Sequence, residues 1–238
     1  MIALASTDVR TAESTKEGGA MTSTVKETTV HVAVVQAGAV PFDTEACVDK
    51  AVRLIGEAAA IGAKVILFPE AFIPGYPKGL HYGLVVGARD ATGREEFRLY
   101  LDAAIEVPGP ETRRLGEAAG AHGSYVVIGV IEREFGTCYC TVLFFGPDGR
   151  LLGKHRKLMP TALERMIWGF GDGSTLTVID SPYGRIGSVI CWENYMPRCA
   201  PREAFPRSKP SLEFVAFPEP PSPAMWWRDL FASGVLKS

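Results

Sequence analysis

Three short segments carry residue types that could do chemistry together. Gly187-Ser-Val-Ile-Cys191-Trp-Glu-Asn-Tyr-Met-Pro197 runs an apolar strand into a cysteine and then a polar turn. A cysteine at such a junction sits near unsatisfied backbone N–H groups, which favour the thiolate, and the thiolate is the attacking form. Lys64-Val-Ile-Leu-Phe-Pro-Glu70 is a buried-strand pattern that ends in a carboxylate, and Gly153-Lys-His-Arg-Lys157 ends a strand in a lysine. Strand ends line the sites of layered α/β folds. A nucleophile, a carboxylate that can take its proton and a cation that can stabilise developing negative charge are the parts of covalent catalysis at an electrophilic carbon.

Each of these residues has a plainer reading. A lone cysteine in an apolar run is more often a buried packing residue. Glu70 reads equally as a strand-end acid facing solvent, and Lys157 as a solvated lysine closing the basic run Lys154-His-Arg-Lys157. Thr161-Ala-Leu-Glu164 has the spacing of a capping box, which would make Glu164 wholly structural. His155 opens a rival mechanism, because imidazole is the commonest activator of a thiol nucleophile and His155 lies two residues from Lys157, on the same strand face. Cys138 and Cys140, also two apart on a strand-like run, read as packing residues rather than metal ligands.

The elements that must position these groups alternate between helix and strand. Val30 to Ala37 reads as a strand, followed by a helix from about Thr44 with Val48, Val52 and Ile55 at helical spacing. A strand over Lys64–Pro69 leads into a turn-rich loop containing Gly75-Tyr-Pro-Lys-Gly-Leu. Helices are expected over 95–105 and 111–122, and strands over 125–134, 137–145 and 151–156. A short helix near 163–168 precedes two strands that flank Ser181-Pro-Tyr-Gly184 and end at Cys191. This alternation indicates an α/β layered domain.

Composition narrows the function classes. The 238 residues, 47% hydrophobic, suffice for one sizeable core. With 25 Lys and Arg against 27 Asp and Glu, a net charge of -2 supplies no attraction to nucleic acid or to an anionic membrane. Five cysteines form no CxxC pair, and an odd count argues against a secreted disulfide framework; with four scattered histidines there is also no zinc spacing. No apolar run of about eighteen residues marks a transmembrane helix. Residues 1–29, rich in Ser, Thr, Glu and Lys, lack the apolar core of a signal peptide, and their acidic residues count against a transit peptide. They read as a disordered extension of a cytoplasmic protein.

Together, Glu70, Lys157 and Cys191 resemble the Glu-Lys-Cys triad of the nitrilase superfamily, the carbon-nitrogen hydrolases. Within it, Cys191-Trp-Glu-Asn-Tyr-Met-Pro197 and the segment from His155-Arg-Lys-Leu-Met-Pro to Gly171-Asp-Gly-Ser174 are similar to the true nitrilase branch, especially the plant enzymes that act on β-cyanoalanine. The resemblance runs from about Val30 to Pro197. It implies a nitrilase-type α-β-β-α sandwich, in which two sheets pack face to face with helices outside. It also implies a small-molecule nitrile as substrate, turned over to acid plus ammonia or to amide with no metal or organic cofactor. Cys191 would be the nucleophile, Glu70 the base, Lys157 the charge-stabilising cation and Glu164 a second carboxylate orienting the lysine and water. The backbone N–H of Trp192 would be an oxyanion donor. An amidase of the same superfamily is the nearest alternative reaction, and assembly into homo-oligomers is the family habit.

The expected organisation is therefore a disordered extension over 1–29, an incomplete nitrilase domain over 30–197 and a proline-rich tail outside the family pattern over 198–238. In that tail Pro218-Glu-Pro-Pro-Ser-Pro223 breaks both periodicities, apart from a short turn near 226–231. The family continues past its Met-Pro with further strands and helices, so the chain is expected to be C-terminally truncated. A second reading stands beside the enzyme: a catalytically impaired isoform that only associates with full-length subunits.

Overall fold

The computed structural model describes residues 1–17, 20–196 and 211–216. Six strands form one sheet in chain order: β1 (Ile2–Glu17), β2 (Ala20–Val35), β3 (Val65–Leu67), β4 (Tyr125–Glu134), β5 (Thr137–Phe145) and β6 (Leu151–Arg156). The inner strands β2, β3 and β4 run parallel, while β1 and the β4-β5-β6 meander pair antiparallel. A second sheet holds β7 (Val178–Ser181), β8 (Gly184–Ile190) and β9 (Ser211–Ala216), with β7 antiparallel and β9 parallel to β8.

The strands of the larger sheet alternate strictly between two apolar layers, because successive side chains leave a strand on opposite faces. Ala33, Val35, Ile66, Val126, Ile128, Leu143 and Phe145 face helices α1 (Thr44–Ala60) and α3 (Pro110–His122). Val30, Val32, Val65, Leu67, Val127, Val142 and Phe144 face the second sheet and meet Ile179, Ile186 and Ile190 there. Helix α1 presents Cys47, Val48, Ala51, Leu54, Ile55 and Ala58, a stripe at helical spacing, and starts where the Asp43 carboxylate accepts the Ala46 N–H at 2.9 Å. Helix α3 starts on Pro110 and stops at Gly123, whose φ of 58° lies in the left-handed region. A third helix, α2 (Ala91–Ala103), closes one end of the inter-sheet layer with Tyr100. The expected sandwich is thus present as helix, sheet and sheet among the described residues.

Two stretches pair as strands where composition suggested none. Ile2–Glu17 pairs with Ala20–Val35 in one long hairpin whose register runs from Ile2 opposite Val35 to Glu17 opposite Ala20. The segment is polar, but Thr22-Ser-Thr-Val-Lys-Glu-Thr-Thr-Val-His-Val is dense in β-branched residues, which favour extended pairing. The stretch after Pro197, expected to carry no strand, contributes β9, paired with β8 from Ser211 opposite Arg185 to Ala216 opposite Ile190. The alternation in Ser211-Leu-Glu-Phe-Val-Ala216 was hidden by the prolines around it. The short turn expected near 226–231 lies outside the described residues.

Candidate active site

Glu70 enters the inter-sheet layer through a backbone detour. Beyond β3, Phe68 donates its N–H to Val127 O at 2.8 Å, and pairing with β4 resumes at Phe72 N–H to Gly129 O, also 2.8 Å. Between them Pro69-Glu70-Ala71 steps out of line across Gly129, with Ala71 at a φ of 50°. Only a glycine permits this crossing: a Cβ on residue 129 would stand 2.4 Å from Pro69 O and 2.7 Å from both Glu70 Cα and Ala71 N. A cleft lined by Ala39, Pro41, Pro69, Tyr76 and Lys78 reaches Glu70 from the loop side.

Lys157 follows β6 directly and is pinned by its own backbone, its N–H donating to Cys140 O and its carbonyl accepting from Gly171. Its side chain, 1% exposed, donates to Glu70 Oε1 at 2.7 Å and to Glu164 Oε2 at 2.8 Å, and its Nζ lies 5.4 Å above the Trp168 ring. Burial alone would lower the lysine pKa, but the Glu70, Cys140 and Glu164 charges outweigh it and hold the ammonium well above the ordinary lysine range. Glu70 is pushed the other way. Burial, opposed by the Lys157 charge and hydrogen bond, carries its carboxyl up to about 7. Its Oε2 is buried without a protein partner among the described residues.

Glu164 is bonded both within its own turn and to the lysine. Its Oε2 accepts the Thr161 N–H at 2.6 Å, as the spacing required, and the same oxygen accepts from Lys157, while Oε1 accepts the Tyr76 hydroxyl at 2.7 Å. The cap and the lysine contact are compatible, because two oxygens offer about four lone-pair directions.

Cys191 closes β8 and opens a 3-10 turn over Cys191–Tyr195. Its φ of 56° is a left-handed conformation that costs a non-glycine residue on the order of 1 kcal/mol or more. The sulfur sits in the inter-sheet layer. Contrary to the expectation that turn N–H groups would favour the thiolate, burial first and then the Glu70 charge raise the thiol to about 11; Lys157 and the Trp192 N–H oppose them and lose. Among the described residues, then, Glu70, Lys157, Glu164, Cys191 and the Trp192 amide meet at one place. A protonated thiol stands beside a carboxylate poised near neutrality and a fixed cation, an arrangement that can move a proton from sulfur to carboxylate when an electrophile arrives.

His155 does face the inter-sheet layer, as does Lys157, but its ring is engaged elsewhere. Nε2 lies 2.8 Å from Glu193 Oε2 and Nδ1 3.2 Å from the Thr175 carbonyl, so neither nitrogen is left for Cys191. Three residues of the site went unread in the sequence. Cys140 donates its S–H to Glu70 Oε1 at 3.4 Å, Tyr76 holds Glu164, and Trp168 lies under Lys157. Only the position of Cys140 opposite the end of β6 could have pointed to the first. Cys138 is buried and its thiol is pushed up to about 12 by its surroundings. No group of three or more His, Cys, Asp or Glu among the described residues could hold a metal ion.

A carbon-nitrogen hydrolase family model matches residues 31–234, so the family pattern continues past Pro197, where the motif resemblance was expected to stop. A bifunctional nitrilase/nitrile hydratase of Lupinus angustifolius is 59% identical over 177 residues, 74% of this chain and 51% of that protein. An aliphatic nitrilase of Sinorhizobium fredii is 59% identical over 170 residues, 71% of this chain and 55% of that protein. The chain thus spans about half the length of the curated relatives it matches. A solved nitrilase-superfamily protein of Saccharomyces cerevisiae superposes with a TM-score of 0.60 at 24% identity, over 79% of this chain and 64% of that one, a likeness of fold. Two packed sheets, a buried carboxylate, lysine and thiol at their strand ends, and a family match over most of its length make this chain a member of the carbon-nitrogen hydrolase family.

Proposed function

We propose that the protein hydrolyses a small-molecule nitrile through a covalent adduct on Cys191. One observation carries the reading: Glu70 and Lys157 form a buried ion pair at 2.7 Å in the layer that holds the Cys191 thiol. A nitrile carbon is weakly electrophilic and calls for a sulfur nucleophile, yet a thiol raised to about 11 ionises too rarely unaided. Glu70, held near 7, takes the proton as sulfur adds to carbon and returns it to the nitrile nitrogen, giving a thioimidate. Lys157 and the Trp192 N–H stabilise the negative charge that appears on that nitrogen, and Glu164 keeps the lysine oriented. Water, deprotonated by Glu70, then adds to the thioimidate carbon. Loss of ammonia leaves a thioester that a second water converts to the acid and the free thiol, whereas loss of the thiolate releases the amide.

The relatives described as bifunctional nitrilase and nitrile hydratase support both outcomes, and the motif resemblance supports 3-cyanoalanine as substrate. Addition of two waters to that nitrile yields aspartate and ammonia; addition of one yields asparagine. The purified 238-residue chain, incubated with 3-cyanoalanine, is expected to form one or both, and Cys191→Ala to form neither. Absence of both products from the wild-type chain, or their persistence in Cys191→Ala, would sink the reading. Family resemblance further supports assembly with copies of itself, which sedimentation velocity would measure.

A further inference from the structure

Glu193 has no part in the chemistry above, yet it is among the most completely bonded side chains near the site. It is 1% exposed. Its Oε2 accepts the Ile190 N–H at 2.7 Å, its Oε1 accepts the Leu158 N–H at 2.6 Å, and Oε2 also meets His155 Nε2 at 2.8 Å. The first of these bonds alone would be ordinary capping of the 3-10 turn, in which a residue three positions on satisfies the cap N–H. The other two go further. Leu158 follows Lys157 at the end of β6 in the larger sheet, whereas Ile190 precedes Cys191 at the end of β8 in the smaller one. One carboxylate therefore bonds the residue next to the cation and the residue next to the nucleophile.

His155 completes the arrangement. Its Nδ1 lies 3.2 Å from the Thr175 carbonyl and its Nε2 2.8 Å from Glu193 Oε2, so contacts at both nitrogens fix the ring plane against the carboxylate. The ring is fully buried on β6, two residues before Lys157. We propose that Glu193, oriented by His155, is the positioning residue that fixes the Cys191 thiol against the Lys157 end of β6. The device explains how a non-glycine residue keeps a left-handed φ at Cys191 without help from its own side chain: the amide before it and the strand end facing it are held by the same rigid group. It also accounts for two adjoining motif residues, the histidine before the lysine and the glutamate after the cysteine, as halves of one contact.

The inference deepens the proposed function and rests on it for the word positioning, but it is testable apart from nitrile turnover. Cys191 is faced by Glu70, Lys157, Glu164 and the Trp192 N–H, and together with burial these set its titration. Alkylation of the full chain by iodoacetamide, followed at Cys191 by peptide mass spectrometry across pH, reads that environment directly. In Glu193→Gln an amide NH2 must face one of the two backbone N–H donors, so the turn loosens. The alkylation midpoint is then expected to fall from about 11 toward the ordinary thiol value of 9.0. Turnover of 3-cyanoalanine should drop about 10- to 100-fold, with KM changed less than twofold, since small misplacements of reacting groups cost that much. A purely structural role would move the melting temperature and leave both readouts alone below it. Should Glu193→Gln not fold, His155→Gln leaves both backbone bonds to Glu193 in place and should shift the midpoint the same way by a smaller amount. A wild-type midpoint in folded Glu193→Gln or in His155→Gln overturns the proposal. A wild-type chain that hydrolyses no nitrile but whose midpoint falls in the variants supports the clamp and refutes the nitrile reading alone.

Discussion

Replacing Gly129 by alanine tests whether the backbone crossing at Glu70 is what builds the site. The new Cβ would lie 2.4 Å from Pro69 O and 2.7 Å from Glu70 Cα, both backbone atoms that cannot rotate away. Restoring ordinary contact requires the two strands of backbone to separate by roughly 1 Å. Overpacking of this kind costs about 1–3 kcal/mol. Alanine recovers only about 0.4–1 kcal/mol by restricting the unfolded chain, so overpacking wins and Gly129→Ala should melt several degrees lower, at about 2–4 °C per kcal/mol for a chain of this size. Activity should suffer more than stability. A displacement of about 1 Å at the carboxylate that must take the Cys191 proton is expected to lower the 3-cyanoalanine rate about 10²-fold. Gly136→Ala is the control, because a Cβ there meets nothing within 4 Å. Differential scanning calorimetry and steady-state rates on the three proteins decide the matter. If Gly129→Ala melts with the control and keeps its rate within threefold, the crossing does not position Glu70.

Three further outcomes are expected. The rate on 3-cyanoalanine should rise with pH through a midpoint near 7, where Glu70 ionises; since its folded pKa is raised from 4.5, its contribution to stability is full below 4.5 and fades as pH rises through about 7, so Glu70→Gln should gain stability relative to wild type between pH 5 and 8 in urea titrations. Cys140→Ala should keep substantial turnover and Cys191→Ala none, measured as ammonia release; the opposite order would reassign the nucleophile. Glu132 is a buried acid outside the site, which burial would raise but which hydrogen bonds and charges from Arg156 and Lys154 hold below the usual carboxylate range. Glu132→Gln should therefore cost about 2–3 kcal/mol, discounted for the partial exposure of both cations, and leave turnover nearly intact. That cost should shrink as pH falls below 4.5, where the carboxylate of the unfolded chain takes up a proton while the folded one, held lower, stays charged until more acid pH.

The order of most elements, the faces of the inner strands and the residue types at their ends are legible along the chain. Val30 to Val35, Lys64 to Pro69 and Tyr125 to Glu134 alternate or saturate in apolar residues because they are covered on both faces, a local signal that needs no partner to be read. The same signal placed Glu70, Lys157 and Cys191 at strand ends. It failed at β1 and β9, where polar or proline-rich surroundings masked short β-branched and alternating runs whose pairing depends on a neighbouring strand. Which side chains face each other follows from packing and not from local pattern. The Gly129 crossing turns on one missing Cβ, and the bonds of Glu164 to Tyr76, of Lys157 to Glu70 and of His155 to Glu193 rather than Cys191 join residues 38 to 88 positions apart. The protonation of the thiol belongs to the same class. Local backbone amides argued for a thiolate, but desolvation and the charge of Glu70 arise from distant segments brought together in the core, and they outweigh the amides.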